Sequence, residues 1–278
     1  MTLAADARAL VAAARKEWRT VRRYPTLLFG ILFWPVLLPA SYVLMGQAYS
    51  GTDPRALQAF AERSGTPLVA GFVFVGFAMY MWLSTLLWGP GTALRTEQMR
   101  GSLEAVFLTP ASRLVPLFGP PAAHLVPTFA SFAVMGLALW LLFGIVLSLD
   151  AILRTLAVIV VAIPAMYGIG AVFASGVLRF GEVGPIVQLV RGTFVLACGI
   201  TFPIAMLPGW AQTAAVMMPP TYIVADIRLV LLGGRSLADI WIDLALLVAF
   251  GALLCTLGMA VFRQTERAAK RTGMLSRY

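Results

Sequence analysis

Side chains that could do chemistry are sparse in this sequence. It has one histidine, His124, two cysteines, Cys198 and Cys255, and two lysines, Lys16 and Lys270. Neither lysine follows a glycine-rich stretch, so there is no P-loop and no cradle of that kind for ATP phosphates. No HExxH pair and no cysteine–histidine cluster has metal-ligand spacing, and two cysteines inside apolar runs do not make a disulfide framework. His124, near the start of an apolar run, reads as a hydrogen-bonding partner for a neighbouring helix. The acids Asp150, Glu182, Asp239 and Asp243 fall at the ends of apolar runs or in loops. Arg191 is the best candidate for a charge inside a span, and its side chain is expected to snorkel to the cytoplasmic interface. Ion-coupled carriers show ionisable residues at mid-membrane. Their scarcity here points to a pathway for an apolar or amphipathic molecule, powered from elsewhere. No convergent catalytic set is visible, so the chain does not read as an enzyme.

The densest polar motif is the segment from Glu97 to Arg113, EQMRGSLEAVFLTPASR. Ser102 can cap a short helix on which Leu103, Val106 and Phe107 form one apolar face. Glu104 falls in the first turn, where a negative charge suits the helix dipole, and Pro110 stops the helix. A short amphipathic helix over 100–108 could seat in a groove of a separate protein.

The elements around that motif are membrane spans. Of the 278 residues, 60% are hydrophobic and 12% charged, against about 25% charged in soluble domains. Long apolar runs recur, as a bilayer core of about 30 Å requires. They predict an all-α polytopic membrane protein with about six transmembrane helices, over 26–48, 67–94, 117–147, 153–177, 185–207 and 238–262. The first run is about twice the usual signal-peptide core and reads as a retained anchor. A short turn at 148–152 is expected between the third and fourth spans, and 179–184 joins the fourth and fifth. Residues 1–25 read as an interfacial amphipathic helix, with Leu3, Ala7, Leu10, Val11, Ala14, Trp18 and Val21 on one side. Arg8, Arg15, Lys16, Arg19, Arg22 and Arg23 lie on the other, toward anionic lipid, and Pro25 ends the helix. The six-span membrane body is 26–262, with a cytoplasmic loop at 95–116, and 263–278 is a basic tail.

Orientation follows from lysine and arginine. With the N-terminus inside, the inner segments hold sixteen of the 21 and the outer ones five, Arg55, Arg63, Arg154, Arg228 and Arg235. The positive-inside rule then puts both termini in the cytoplasm. The net charge of +9 is that bias rather than a nucleic-acid signal, since no basic–aromatic binding motif accompanies it. The stretch from Gly199 to Gly234 is too apolar for a free loop and too broken by proline for a clean span. An extra crossing there would move the basic tail outside. A re-entrant helical hairpin over 203–234, carrying Pro203, Pro208, Trp210, Pro220 and Tyr222 and turning near Pro208–Trp210, satisfies both constraints.

The loop from Glu97 to Arg113 resembles the signature of bacterial type-2 ABC exporter permeases: an acid, then Arg-Gly-Ser/Thr-Leu-Glu, then Thr-Pro-x-Ser-Arg. Those positions are Glu97, Arg100, Gly101, Ser102, Leu103, Glu104, Thr109, Pro110, Ser112 and Arg113. Gly199, Phe202-Pro203, Leu207-Pro208, Pro220, Tyr222, Asp226 and Arg228 are similar to the family's outer hairpin. The resemblance implies that the loop is an ATPase-coupling helix, Phe107 included. It implies two copies of a P-loop ATPase partner, which would hold ATP and magnesium, so this chain needs no cofactor and no metal. It also implies a second permease, most simply another copy of this chain in a homodimer, in the plasma membrane of a prokaryote. The family exports drugs, lipids, polysaccharides and ions. The Met- and Phe-rich fifth span and hairpin suit a hydrophobic or amphipathic substrate, with Thr193, Phe194, Cys198, Phe202 and Met206 as candidate pathway lining. An ion-coupled carrier and a membrane assembly factor are the alternatives.

Overall fold

A computed structural model describes residues 3–23, 25–50, 53–88, 114–180 and 183–272. Among these every regular element is a helix and no strand occurs. In chain order the α-helices are α1 (Leu3–Arg23), α2 (Pro25–Ser50), α3 (Pro54–Ser64), α4 (Val69–Trp88) and α5 (Leu114–Phe143). They continue as α6 (Leu149–Phe180), α7 (Gly184–Ala197), α8 (Gly209–Ala215), α9 (Pro219–Leu231) and α10 (Trp241–Thr272).

Four stretches are long and apolar enough to cross a bilayer: Val69–Trp88, His124–Phe143, Leu149–Gly176 and Leu237–Thr265. A fifth arises if α8 and α9, bent by 88°, count as one crossing. The count of six is not confirmed on this basis, although α2, an apolar helix of 26 residues, lies where the first span is expected. The expected span 185–207 is shorter than its sequence suggests. Its helix ends at Ala197 after 14 residues, which reach about 21 Å at about 1.5 Å per residue, short of the hydrocarbon thickness. Gly199 then takes a left-handed backbone, φ +68, which a glycine adopts without steric cost.

Other boundaries shift for equally local reasons. The turn expected at 148–152 lies at 144–148. Gly144, φ +65, ends α5 as its amide donates to the Trp140 carbonyl and that of Ile145 to Leu139, the first of these being the bond of an αL-type stop. The Ser148 hydroxyl accepts the Ala151 amide at 3.2 Å and so starts α6. The polar stretch between the first two spans contains α3, capped by Asp53 and closed by Gly65. The last helix continues to Thr272, so Arg263 and Arg267 ride on it rather than in a separate tail. In α1, Val11 is exposed among the arginines instead of on the side opposite them.

The bundle is organised around α4. Its all-round apolar sequence has no polar face to turn outward, and α2, α5, α6, α7 and α9 pack on it. Phe72, Phe74, Met79, Leu83 and Leu87 are fully buried. The last helix packs mainly on α6, and α1 lies against α5 and α2.

Candidate functional site

Two cavities flank α9. The larger, about 590 Å³, lies between α4, α5, α6 and α9. Phe74, Phe132, Trp140, Leu156, Ile159 and Ile227 are among its walls. Thr155 is its one hydroxyl, and that is spent on the Ala151 carbonyl at 2.8 Å. The other polar side-chain group on its walls is the Trp140 indole N–H at the mouth, so the chamber favours a ligand surface with few hydrogen-bonding groups, and the volume falls in the range of about 300–1,000 Å³ typical of small-molecule pockets. Its mouth is apolar too, with Trp140 54% and Val146 78% exposed.

The smaller cavity, about 260 Å³, lies on the other side of α9 and is bordered by Arg63, Thr66, Phe72, Cys198, Thr221 and Arg228. Arg228 is its structural centre. The guanidinium donates to the Phe72 carbonyl of α4 through Nε at 3.2 Å and Nη2 at 2.9 Å. It also donates to Gly199 through Nη1 at 2.7 Å and to Ile200 through Nη2 at 3.0 Å. It stacks over the Phe72 ring, 3.3 Å from guanidinium carbon to ring centroid, a cation–π contact. The carbonyls exposed where the chain leaves α7 would otherwise be orphans in an apolar interior. Gly76 makes the approach possible, because a Cβ there would collide with the Ile200 carbonyl oxygen.

Asp226, two residues before Arg228, is 0% exposed. Neither carboxyl oxygen has a hydrogen-bond partner of normal geometry, and Asp243 at the start of α10 is the acid that acts on it. The sequence places both Asp226 and Arg228 in an outer segment, without showing that Asp226 is buried and Arg228 half-buried. The signal was present: two ionisable residues inside the apolar run of α9, spaced so that they leave on different faces.

The residues read as pathway lining do not converge on one chamber. Thr193 and Met206 are exposed, Phe194 and Phe202 are half-buried, and Cys198 is buried. None of the five borders the larger cavity, and Cys198 alone borders the smaller, its Sγ 3.6 Å from Met218 Sδ. Arg191 does not snorkel free; it donates to the Tyr80 hydroxyl of α4 and lies over that ring at 4.8 Å. His124 is half-buried near the foot of α5.

In the hairpin, Pro203 is buried and Pro208 takes an extended backbone ahead of α8, where Trp210 is 78% exposed. The sharp bend comes later than expected, at 216–218. Met218 is extended there because Pro219 and Pro220 disfavour helix in the residue before them. Pro220 is buried, and the Tyr222 hydroxyl donates back to the Val216 carbonyl at 2.8 Å. The loop motif of Glu97, Arg100, Gly101, Ser102, Leu103, Glu104, Phe107, Thr109 and Pro110 lies outside the described residues.

A helical bundle of apolar spans, interrupted by a broken helix pair and hollowed by an apolar chamber, is the build of a multi-pass membrane protein. A family model for the ABC-2 type transporter matches residues 8–232, and the chain belongs to that family. It is thus the membrane component of an ABC-type transporter, a class that works with an ATPase subunit. No curated protein sequence matches the chain.

Proposed function

We propose that this chain is the membrane-spanning half of an ATP-driven exporter, moving a hydrophobic or amphipathic compound out of the cytoplasm or the inner leaflet. The observation that carries the reading is the family match over residues 8–232; these 278 residues contain no P-loop, and a separate ATPase subunit is the energy source the reading calls for. The loop around Arg100-Gly101-Ser102-Leu103-Glu104 is the place to receive it, as a short helix seated in an ATPase groove. Two copies of this chain over two ATPase subunits complete the simplest assembly, in a prokaryotic plasma membrane with both termini in the cytoplasm. The apolar chamber beside α9 supports a substrate with a large hydrocarbon surface.

Transport into inverted vesicles tests the proposal, using the chain with its ATPase and a panel of lipophilic compounds. Uptake that requires ATP and survives collapse of the proton gradient is expected. Uptake driven by a proton or sodium gradient without ATP would instead favour an ion-coupled carrier, the reading to which the buried Asp226 lends its one specific observation.

A further inference from the structure

Arg228 has a donor to spare. A guanidinium carries five N–H groups, and the bonds to Phe72, Gly199 and Ile200 use four of them. The second Nη1 N–H has no acceptor among the described residues. The four bonds also end on neutral carbonyls, and no carboxylate pairs with Arg228 among the described residues. Asp226 leaves α9 about 200° away, at about 100° per residue. A cation held in an apolar surrounding without a counter-charge exerts a field far stronger than it would in water.

That field opens into the smaller cavity, whose rim adds a second cation. Arg63, at the end of α3, borders the same space, is exposed and makes no hydrogen bond or ion pair with a described residue. No acid borders the cavity among the described residues. The Ser64 and Thr221 hydroxyls are already given to the carbonyls of Thr66 and Ala215. The Thr66 hydroxyl accepts the Leu68 amide at 3.2 Å and keeps its own proton to donate. Arg228 Nη1, Arg63 and Thr66 therefore present unspent donors, with two positive charges, to one small space. At about 260 Å³ it falls below the range of about 300–1,000 Å³ that encloses whole drug-sized ligands. A single compact group is what it suits.

We propose that this cavity is a binding site for an oxyanion, a phosphate or carboxylate, on the face of the protein that the charge bias assigns to the outside. Arg228 is the half-buried anchor, Arg63 the rim contact, and Thr66 a neutral donor. The inference rests on the exporter reading only for its meaning, since it would give the substrate an acidic headgroup at the exit. The anion itself could arrive on an amphiphile or as a free ion.

The test uses the full-length chain in phosphatidylcholine nanodiscs, without ATPase or ATP. Its failure is therefore distinguishable from failure of ATP coupling. Binding of dodecyl phosphate, dodecyltrimethylammonium and inorganic phosphate is measured by calorimetry. Wild type should bind dodecyl phosphate at least about tenfold more tightly than the ammonium amphiphile, as expected when charge-assisted hydrogen bonds form on one side only. Because Arg228→Gln also removes the clasp on three backbone carbonyls, Arg63→Gln is the decisive variant. It should cut dodecyl phosphate binding about fivefold, the upper range for a solvent-exposed charge contact, while leaving dodecyltrimethylammonium binding no weaker. Inorganic phosphate that displaces dodecyl phosphate at equal concentration identifies a free ion as the ligand of the site; failure to displace it identifies the amphiphile headgroup. Equal affinity for the phosphate and ammonium amphiphiles, or an Arg63→Gln variant that retains the full preference, overturns the proposal.

Discussion

The two sides of α6 are built differently. On one side α6 and α10 lie almost backbone to backbone. A Cβ at Gly168 would press on the Leu254 side chain and the Cys255 amide, one at Gly258 would meet Ala171 Cβ at 2.8 Å, and one at Gly251 would meet Pro164 Cβ at 2.8 Å. Small residues let membrane helices approach in this way, since lipid offers no hydrophobic drive to hold them together. On its other side α6 stands away from α5, although only 144–148 separate them in sequence, and the apolar chamber fills the gap. A Cβ at Gly136, on the α5 wall, would meet the Leu147 side chain at 3.7 Å, an ordinary contact. Glycine therefore marks a joint in one place and nothing of the kind in the other.

The comparison is most easily broken where the close approach is against backbone. Gly76 obeys the same rule as the α6–α10 seam, with the Ile200 carbonyl and Arg228 as its neighbours. Gly76→Ala should be the most damaging of these substitutions. It displaces the clasped carbonyls and costs about 3 kcal/mol or more, combining overpacking with lost hydrogen bonds. The thermal midpoint of the purified protein reads this directly, and an unchanged midpoint would remove Gly76 from the joint. Next comes Gly258→Ala, expected to destabilise by about 1–3 kcal/mol as the seam is pushed apart. If it stabilises instead, the seam is not tight.

Filling the chamber should move function more than stability. Ala133→Trp lies on the chamber wall at an exposed position. Its midpoint should stay within about 0.5 kcal/mol of wild type, while transport of lipophilic compounds falls. Transport that is unaffected would take the chamber out of the pathway. The smallest effect should come from Gly136→Ala, with the opposite sign to Gly258→Ala: a gain of up to about 1 kcal/mol, the helix-propensity difference between the two residues. The paired signs of these last glycine variants sharpen the contrast better than either alone.

What the sequence makes legible follows from which forces are local. Span-length apolar runs, the break at Pro25 and the irregularity of 199–234 can be read directly, because bilayer thickness and proline act on the residues that carry them. The stop at Gly144 was misplaced by a few residues, since glycine caps and serine caps compete within one short linker. The partnership of Arg228 with Phe72 and Gly199 was not legible at all. Its partners are backbone carbonyls 156 and 29 residues away, and carbonyls leave no trace in side-chain pattern. The pathway candidates failed to converge for a related reason. They lie along one segment of the chain, whereas the chamber is assembled from four helices.

Orientation is open to a direct check that also bears on the proposed anion site. Single cysteines at Ala56 and Ser236 should react with a membrane-impermeant maleimide in intact cells, and one at Ser102 should not. External labelling at Ser102 would invert the arrangement and put the cavity at Arg63 on the cytoplasmic side.

The central claim is that a chain without a phosphate-binding loop is driven by a separate ATPase through the segment around Ser102. Its most direct test is association and ATP turnover of the reconstituted complex with Leu103→Asp and, separately, Glu104→Arg. An unpaired charge in an apolar docking groove costs several kcal/mol, about 3–5 where one partner of a buried pair is removed, and reversing Glu104 opposes the helix dipole as well. The account predicts permeases that insert normally in the membrane but fail to co-purify with the ATPase and lose substrate-stimulated hydrolysis. Wild-type association and turnover in both variants would contradict it.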